Sequence, residues 1–113
     1  MAYTDFYHPR FADCLTRYGS LKKRIETKNN YILQKPDMGE QLQGDLEGYR
    51  SYPLARSFLI IYIVCDDCRR LEQLAERACN RCGEIPEESV IFMAIGPYDD
   101  AYKMAKTITE IDF

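Results

Sequence analysis

Four cysteines carry the most specific chemical spacing in the chain: Cys65-x-x-Cys68 and, after ten intervening residues, Cys79-x-x-Cys82. Each pair brings two thiolates within reach of one ion, and four thiolates complete a tetrahedral Zn²⁺ site. With no open position for water or substrate, such a site is structural. The same spacing also reads as free thiols or a redox pair in a reducing compartment. One geometric condition attaches to zinc. Leu71, Leu74, Ala75 and Ala78 favour a helix over residues 69–78. A continuous helix there would separate the pairs by about 15 Å, whereas sulfurs around one zinc lie about 4 Å apart. The spacing therefore predicts a helix of about two turns that ends before Cys79.

The fifth cysteine, Cys14, stands alone on a helical stripe and reads as core. An odd count behind an N-terminus with no basic-then-apolar signal argues against a disulfide scaffold. The other residues able to do chemistry are cations and phenols. Lys22, Lys23, Arg24 and Lys28 form a basic run that reads either as a solvated helix face or as an RNA contact. Arg50, taken by itself, reads as a solvated strand charge. Tyr52, Tyr98 and Tyr102 read as half-buried packing or as proton-transfer groups. The sole histidine, His8, reads as fixing a strand–helix junction.

Elements to hold these residues follow from periodicity. Ala2–Tyr7 alternates as a first strand. Pro9 suits the first turn of a helix, and Phe11, Cys14, Leu15 and Tyr18 recur at helical spacing up to Gly19. Ser20 is the expected N-cap of a second helix, with Leu21, Ile25 and Ile32 on one stripe, ending at Lys35-Pro36-Asp37. After a polar connection from Gly39 to Gly48, Tyr49–Leu54 and Phe58–Val64 form a hairpin around Ala55-Arg56-Ser57. The second of these strands is apolar on both faces, as a central strand requires. Pro53 has no N–H to donate, so it demands a bulge or an unpaired position. Val90–Ile95 is a further apolar strand. Gly96-Pro97 ends it, and Asp99-Asp100 lie at the start of a last helix whose inner face is Ala101, Ala105 and Ile108. The order is βααββ, insertion, βα. It predicts one α+β domain over residues 1–113: a small antiparallel sheet, an N-terminal helical hairpin and a C-terminal helix, with residues 65–89 an insertion between the last two strands.

Composition bounds the function. The 113 residues are 46% hydrophobic and 29% charged. They hold no apolar stretch near the roughly 20 residues that span a membrane, so the expected location is the cytoplasm. The net charge of −3 is uneven: residues 8–35 carry seven Lys/Arg against two acids, and residues 65–113 six against eleven. A basic footprint for nucleic acid is thus confined to the N-terminal helices.

The segments GDLEGYRSYPLARSFLIIYIV (44–64) and IFMAIGPYDDAYK (91–103), with His8–Phe11 (HPRF) and the helical hairpin, resemble the RelE/ParE superfamily of type II toxin–antitoxin toxins, most closely its mRNA-interferase branch. That resemblance implies ribosome-dependent mRNA cleavage without a metal: a ribose 2′-OH attacks the adjacent phosphate while a base, an acid and cations serve the transition state. Carried over by position, Arg50 and Tyr52 match the reactive strand, Arg56 the hairpin tip, and Tyr102 the tyrosine of the last helix. Lys103 joins Lys22, Lys23, Arg24 and Lys28 as an RNA-contact candidate. The implied partners are a cognate antitoxin and the ribosome with its mRNA. The surface an antitoxin covers implies an apolar patch able to self-associate.

Two departures from the family pattern matter. Leu59 stands where "F-R-I-I-Y" has arginine, and Tyr98 where "I-G-x-H" has histidine. Losing one charge-stabilising donor costs on the order of 10²–10³ in rate. Tyrosine serves as a base only when cations such as Arg50 or Lys103 lower its pKa. The alternatives are a non-catalytic member kept as an antitoxin-binding or regulatory module, and a ParE-like poison of DNA gyrase, since fold alone does not assign chemistry.

Overall fold

The computed structural model describes residues 3–42, 48–55, 57–64 and 88–107. The chain opens with strand β1 (Thr4–Tyr7), helix α1 (Pro9–Arg17) and helix α2 (Lys22–Gln34), with a 3₁₀ turn, Gly19–Leu21, between the helices. A second 3₁₀ turn, Pro36–Met38, leads into a short strand β2 (Glu40–Gln41). Strands β3 (Tyr49–Ala55), β4 (Phe58–Val64) and β5 (Ser89–Pro97) follow, and helix α3 (Tyr98–Thr107) closes the described chain.

Among the described residues the strands form one five-stranded sheet in the order β1-β5-β4-β3-β2. β3, β4 and β5 pair antiparallel, as expected. β1 does not. It lies parallel to β5, with Thr4 opposite Ser89 and Tyr7 opposite Phe92, so the sheet is mixed rather than antiparallel. β1 reaches β5 only after both helices and the other strands have intervened. A long crossover permits parallel pairing where a tight turn would not. β2, inside the expected polar connection, pairs Glu40 with Ser51 and Gln41 with Arg50.

β4 is central, and Leu59 to Val64 are all buried. Its alternate side chains enter two cores. Leu59, Ile61 and Ile63 join Tyr49, Ile91 and Met93 under Ala101 and Ala105 of α3. Ile60, Tyr62 and Val64 join Phe92 and Ile95 under Phe11 and Cys14 of α1 and Ile25, Ile32 and Leu33 of α2. A sheet buried on both faces explains the continuous apolar runs of β4 and β5. The β4–β5 register shifts between Ile61 and Tyr62, and the consecutive Met93 and Ala94 both enter the α3 core, as a bulge requires. The Pro53 irregularity is present too, between Pro53 and Ala55.

His8 caps α1: its Nδ1 accepts a hydrogen bond from the Arg10 amide at 3.1 Å. Ser20, by contrast, is not the cap of α2. It lies within the 3₁₀ turn, Leu21 occupies the cap position, and no side chain bonds there. The Lys22 amide donates to the Gly19 carbonyl instead, so the turn runs straight into the helix. Among the described residues no helix is long and apolar enough to cross a membrane.

Candidate functional site

Strand alternation sets where the β3 candidates can act. Tyr49 enters the α3 core, so Arg50 and Tyr52 face the opposite side, toward α2. Arg50 is only 8% exposed. Its guanidinium donates to the Gly39 carbonyl at 3.0 Å and the Asp37 carbonyl at 3.4 Å, so it holds the turn that follows α2. Its cross-strand neighbour Tyr62 grips the same turn. The hydroxyl donates to the Pro36 carbonyl at 2.7 Å and accepts from the Gly39 amide at 3.0 Å. Gly39 is a necessity there: a Cβ would run into the Tyr62 hydroxyl and approach the Ser51 carbonyl at 3.0 Å.

Tyr52 is half-buried against the helical-pair core. Lys28 stands beside it, its Nζ 5.7 Å from the centroids of both the Tyr52 and the Tyr31 rings. These are cation–aromatic approaches. Lys22, Lys23 and Arg24 are exposed in the first turn of α2.

The remaining candidates belong to α3. Tyr98, 47% exposed, begins that helix, and its amide donates to the Ser57 carbonyl at 3.0 Å. This bond ties α3 to the two-residue connection between Ala55 and Phe58, where Ser57 takes a φ of 68°. Tyr102, one turn on, shares the Tyr98 side of α3 and is half-buried against the α3 core, while Lys103 is exposed. Leu59, where the resemblance implies an arginine, is a buried member of that core.

The candidates therefore form two groups on opposite faces of the sheet: Arg50, Tyr52 and Lys28 toward α2, and Tyr98, Tyr102 and Lys103 on α3. The resemblance implied catalytic roles for Arg50, Tyr52 and Tyr102 together; in the fold the sheet stands between the first two and the third. Arg56 lies outside the described residues, as do Cys65, Cys68, Cys79 and Cys82. Among the described residues no cluster of three or more His, Cys, Asp or Glu could hold a metal. Among the described residues the exposed large apolar side chains are Tyr7, Tyr31, Met38 and Tyr98, three of them phenols with a polar tip.

Among the described residues two titrating groups are shifted, both outside these sets. Burial pushes the Cys14 thiol up from its ordinary value; its Sγ donates to Met104 Sδ at 3.5 Å, joining α1 to α3. Burial also raises the Tyr7 phenol, and the adjacent Asp5 carboxylate, which accepts its hydroxyl at 2.7 Å, adds to the rise. The sequence reading missed Tyr62 as a fastener and Tyr31 as a cation's neighbour. Both roles depend on cross-strand and helix–strand contacts that no local spacing encodes.

No family model and no curated protein sequence matches the chain. Among solved structures it is similar to a YoeB/ParE toxin from Agrobacterium tumefaciens, with a TM-score of 0.59 at 13% identity, covering 83% of this chain and 96% of that one. The chain has a RelE/ParE-like toxin fold.

Proposed function

We propose that this chain is the toxin of a toxin–antitoxin pair, acting in the cytoplasm against RNA and held silent by a cognate antitoxin. The observation that carries this reading is a fold shared with a toxin over 96% of that chain, with the motif-bearing strands β3, β4 and β5 at the centre of the sheet. Ribosome-dependent mRNA cleavage is the finer form of the proposal. Its chemistry would fall to Tyr98 and Tyr102 as proton-transfer groups with Lys103 as a phosphate contact, because Arg50 is buried and its Nη1 donates to two turn carbonyls.

The test is expression alone and beside the neighbouring gene product, scoring growth and mRNA integrity. Wild type should arrest growth with cleaved mRNA, and co-expression should relieve it. Tyr98→Phe or Tyr102→Phe should abolish cleavage while leaving the fold intact. Harmless expression of a well-folded wild type, with no partner capturing it, would remove the toxin reading.

The second reading, a non-catalytic module that binds an antitoxin, is favoured by the division of Arg50 and Tyr52 from Tyr102 across the sheet. It predicts partner binding with intact mRNA and no effect of the two tyrosine variants.

A further inference from the structure

The outer face of α2 carries a set of features that the cleavage chemistry does not use. Ser20, Leu21, Lys23, Arg24 and Thr27 line an open depression of about 490 Å³ at the start of the helix. Tyr31, 48% exposed, comes four residues after Thr27 and so continues the same face one turn on. Lys28 lies alongside, its Nζ equally distant from the Tyr31 and Tyr52 rings. Glu26 is the only acid within α2, against Lys22, Lys23, Arg24 and Lys28. Cations and an exposed aromatic ring thus share one surface.

We infer that this face binds single-stranded RNA, with Lys23, Arg24 and Lys28 on phosphates and Tyr31 stacked on a base. The inference rests on the reading that the chain works on RNA. Ser20 to Tyr31 spans about 16 Å of helix, room for a few nucleotides. The chain as a whole carries a net charge of −3, so a polyanion is repelled elsewhere and directed to the N-terminal helices. Charge alone would equally suit an acidic peptide. The exposed ring favours RNA, because every base offers a face to stack on and stacking tolerates any sequence.

The experiment compares a fluorescent, unstructured RNA of about 12 nucleotides with poly-L-glutamate, a polyanion without bases, on the full chain. Tyr31→Ala should weaken RNA binding about tenfold or more and leave poly-glutamate binding unchanged. Tyr31→Phe, which keeps the ring, should stay close to wild type. The Lys23→Gln/Arg24→Gln pair should flatten the salt dependence of RNA binding. Circular dichroism confirms that each variant is folded. RNA affinity in the wild type that ignores Tyr31→Ala overturns the inference and leaves the RNA reading standing. Equal losses for both probes also overturn it, marking an acidic-protein surface. No RNA affinity in the wild type removes both together.

Discussion

Arg50 and Tyr62 stand opposite each other across β3 and β4 and fasten the same turn, Arg50 through the carbonyls of Asp37 and Gly39, Tyr62 through the Pro36 carbonyl and the Gly39 amide. The pair locks the exit of α2 onto the sheet, and with it the position of the whole basic helix. Tyr62→Phe should cost about 1–3 kcal/mol, because the Gly39 amide is left buried without its acceptor. Arg50→Ala should cost at least as much. The double variant should show coupling in urea unfolding, since both side chains serve one turn. Additive losses would mean that they act independently. Loss of activity in Arg50→Ala is therefore a folding result until stability has been measured.

Gly39 and Gly19 make a matched comparison. Alanine at Gly39 forces the Tyr62 hydroxyl aside and should destabilise by about 1–3 kcal/mol. At Gly19 a Cβ meets nothing within 4 Å. There alanine should be neutral or add about 0.4–1 kcal/mol by restricting the unfolded chain. Equal urea midpoints for the two variants would contradict the close approach at Gly39.

Cys14 sets an alkaline limit. Burial raises its thiol above the ordinary 9.0, so the folded chain keeps the proton that the unfolded chain gives up. The stabilisation is complete below the unfolded value and is lost as pH rises from about 9 toward the folded value. Unfolding midpoints should fall over that range, and Cys14→Ala should flatten the fall while lowering stability at neutral pH. Parallel curves for the two proteins would show that Cys14 contributes nothing to the alkaline loss.

We propose that Cys65, Cys68, Cys79 and Cys82 hold one structural zinc ion. Metal analysis of protein purified under reducing conditions should find zinc at one equivalent, and serine at any of the four should reduce it. Stripping the metal with a chelator should lower thermal stability, because structural zinc contributes directly to folding. Metal-free protein with unchanged stability would leave the thiols without this role.

Much of the architecture was legible from local pattern. The apolar run of β4 announced a strand buried on both faces, that of β5 a further strand, Pro53 announced the irregularity in β3, and Pro9 announced the start of α1. Each of these is a property of a few consecutive residues. The Ser20 cap failed because the Gly19 carbonyl took the bond a side chain was expected to make, a choice between near-equal local solutions.

By itself the sequence determined the longer described elements and their order, because propensity and hydrophobic period act over a few neighbours. Tertiary structure alone decided the parallel seat of β1, the commitment of Arg50 to a turn, and the division of the tyrosines between two faces. Those outcomes depend on register and on contacts between segments far apart in the chain. A shift of one residue in strand pairing turns every side chain to the other face, and no local pattern carries that information.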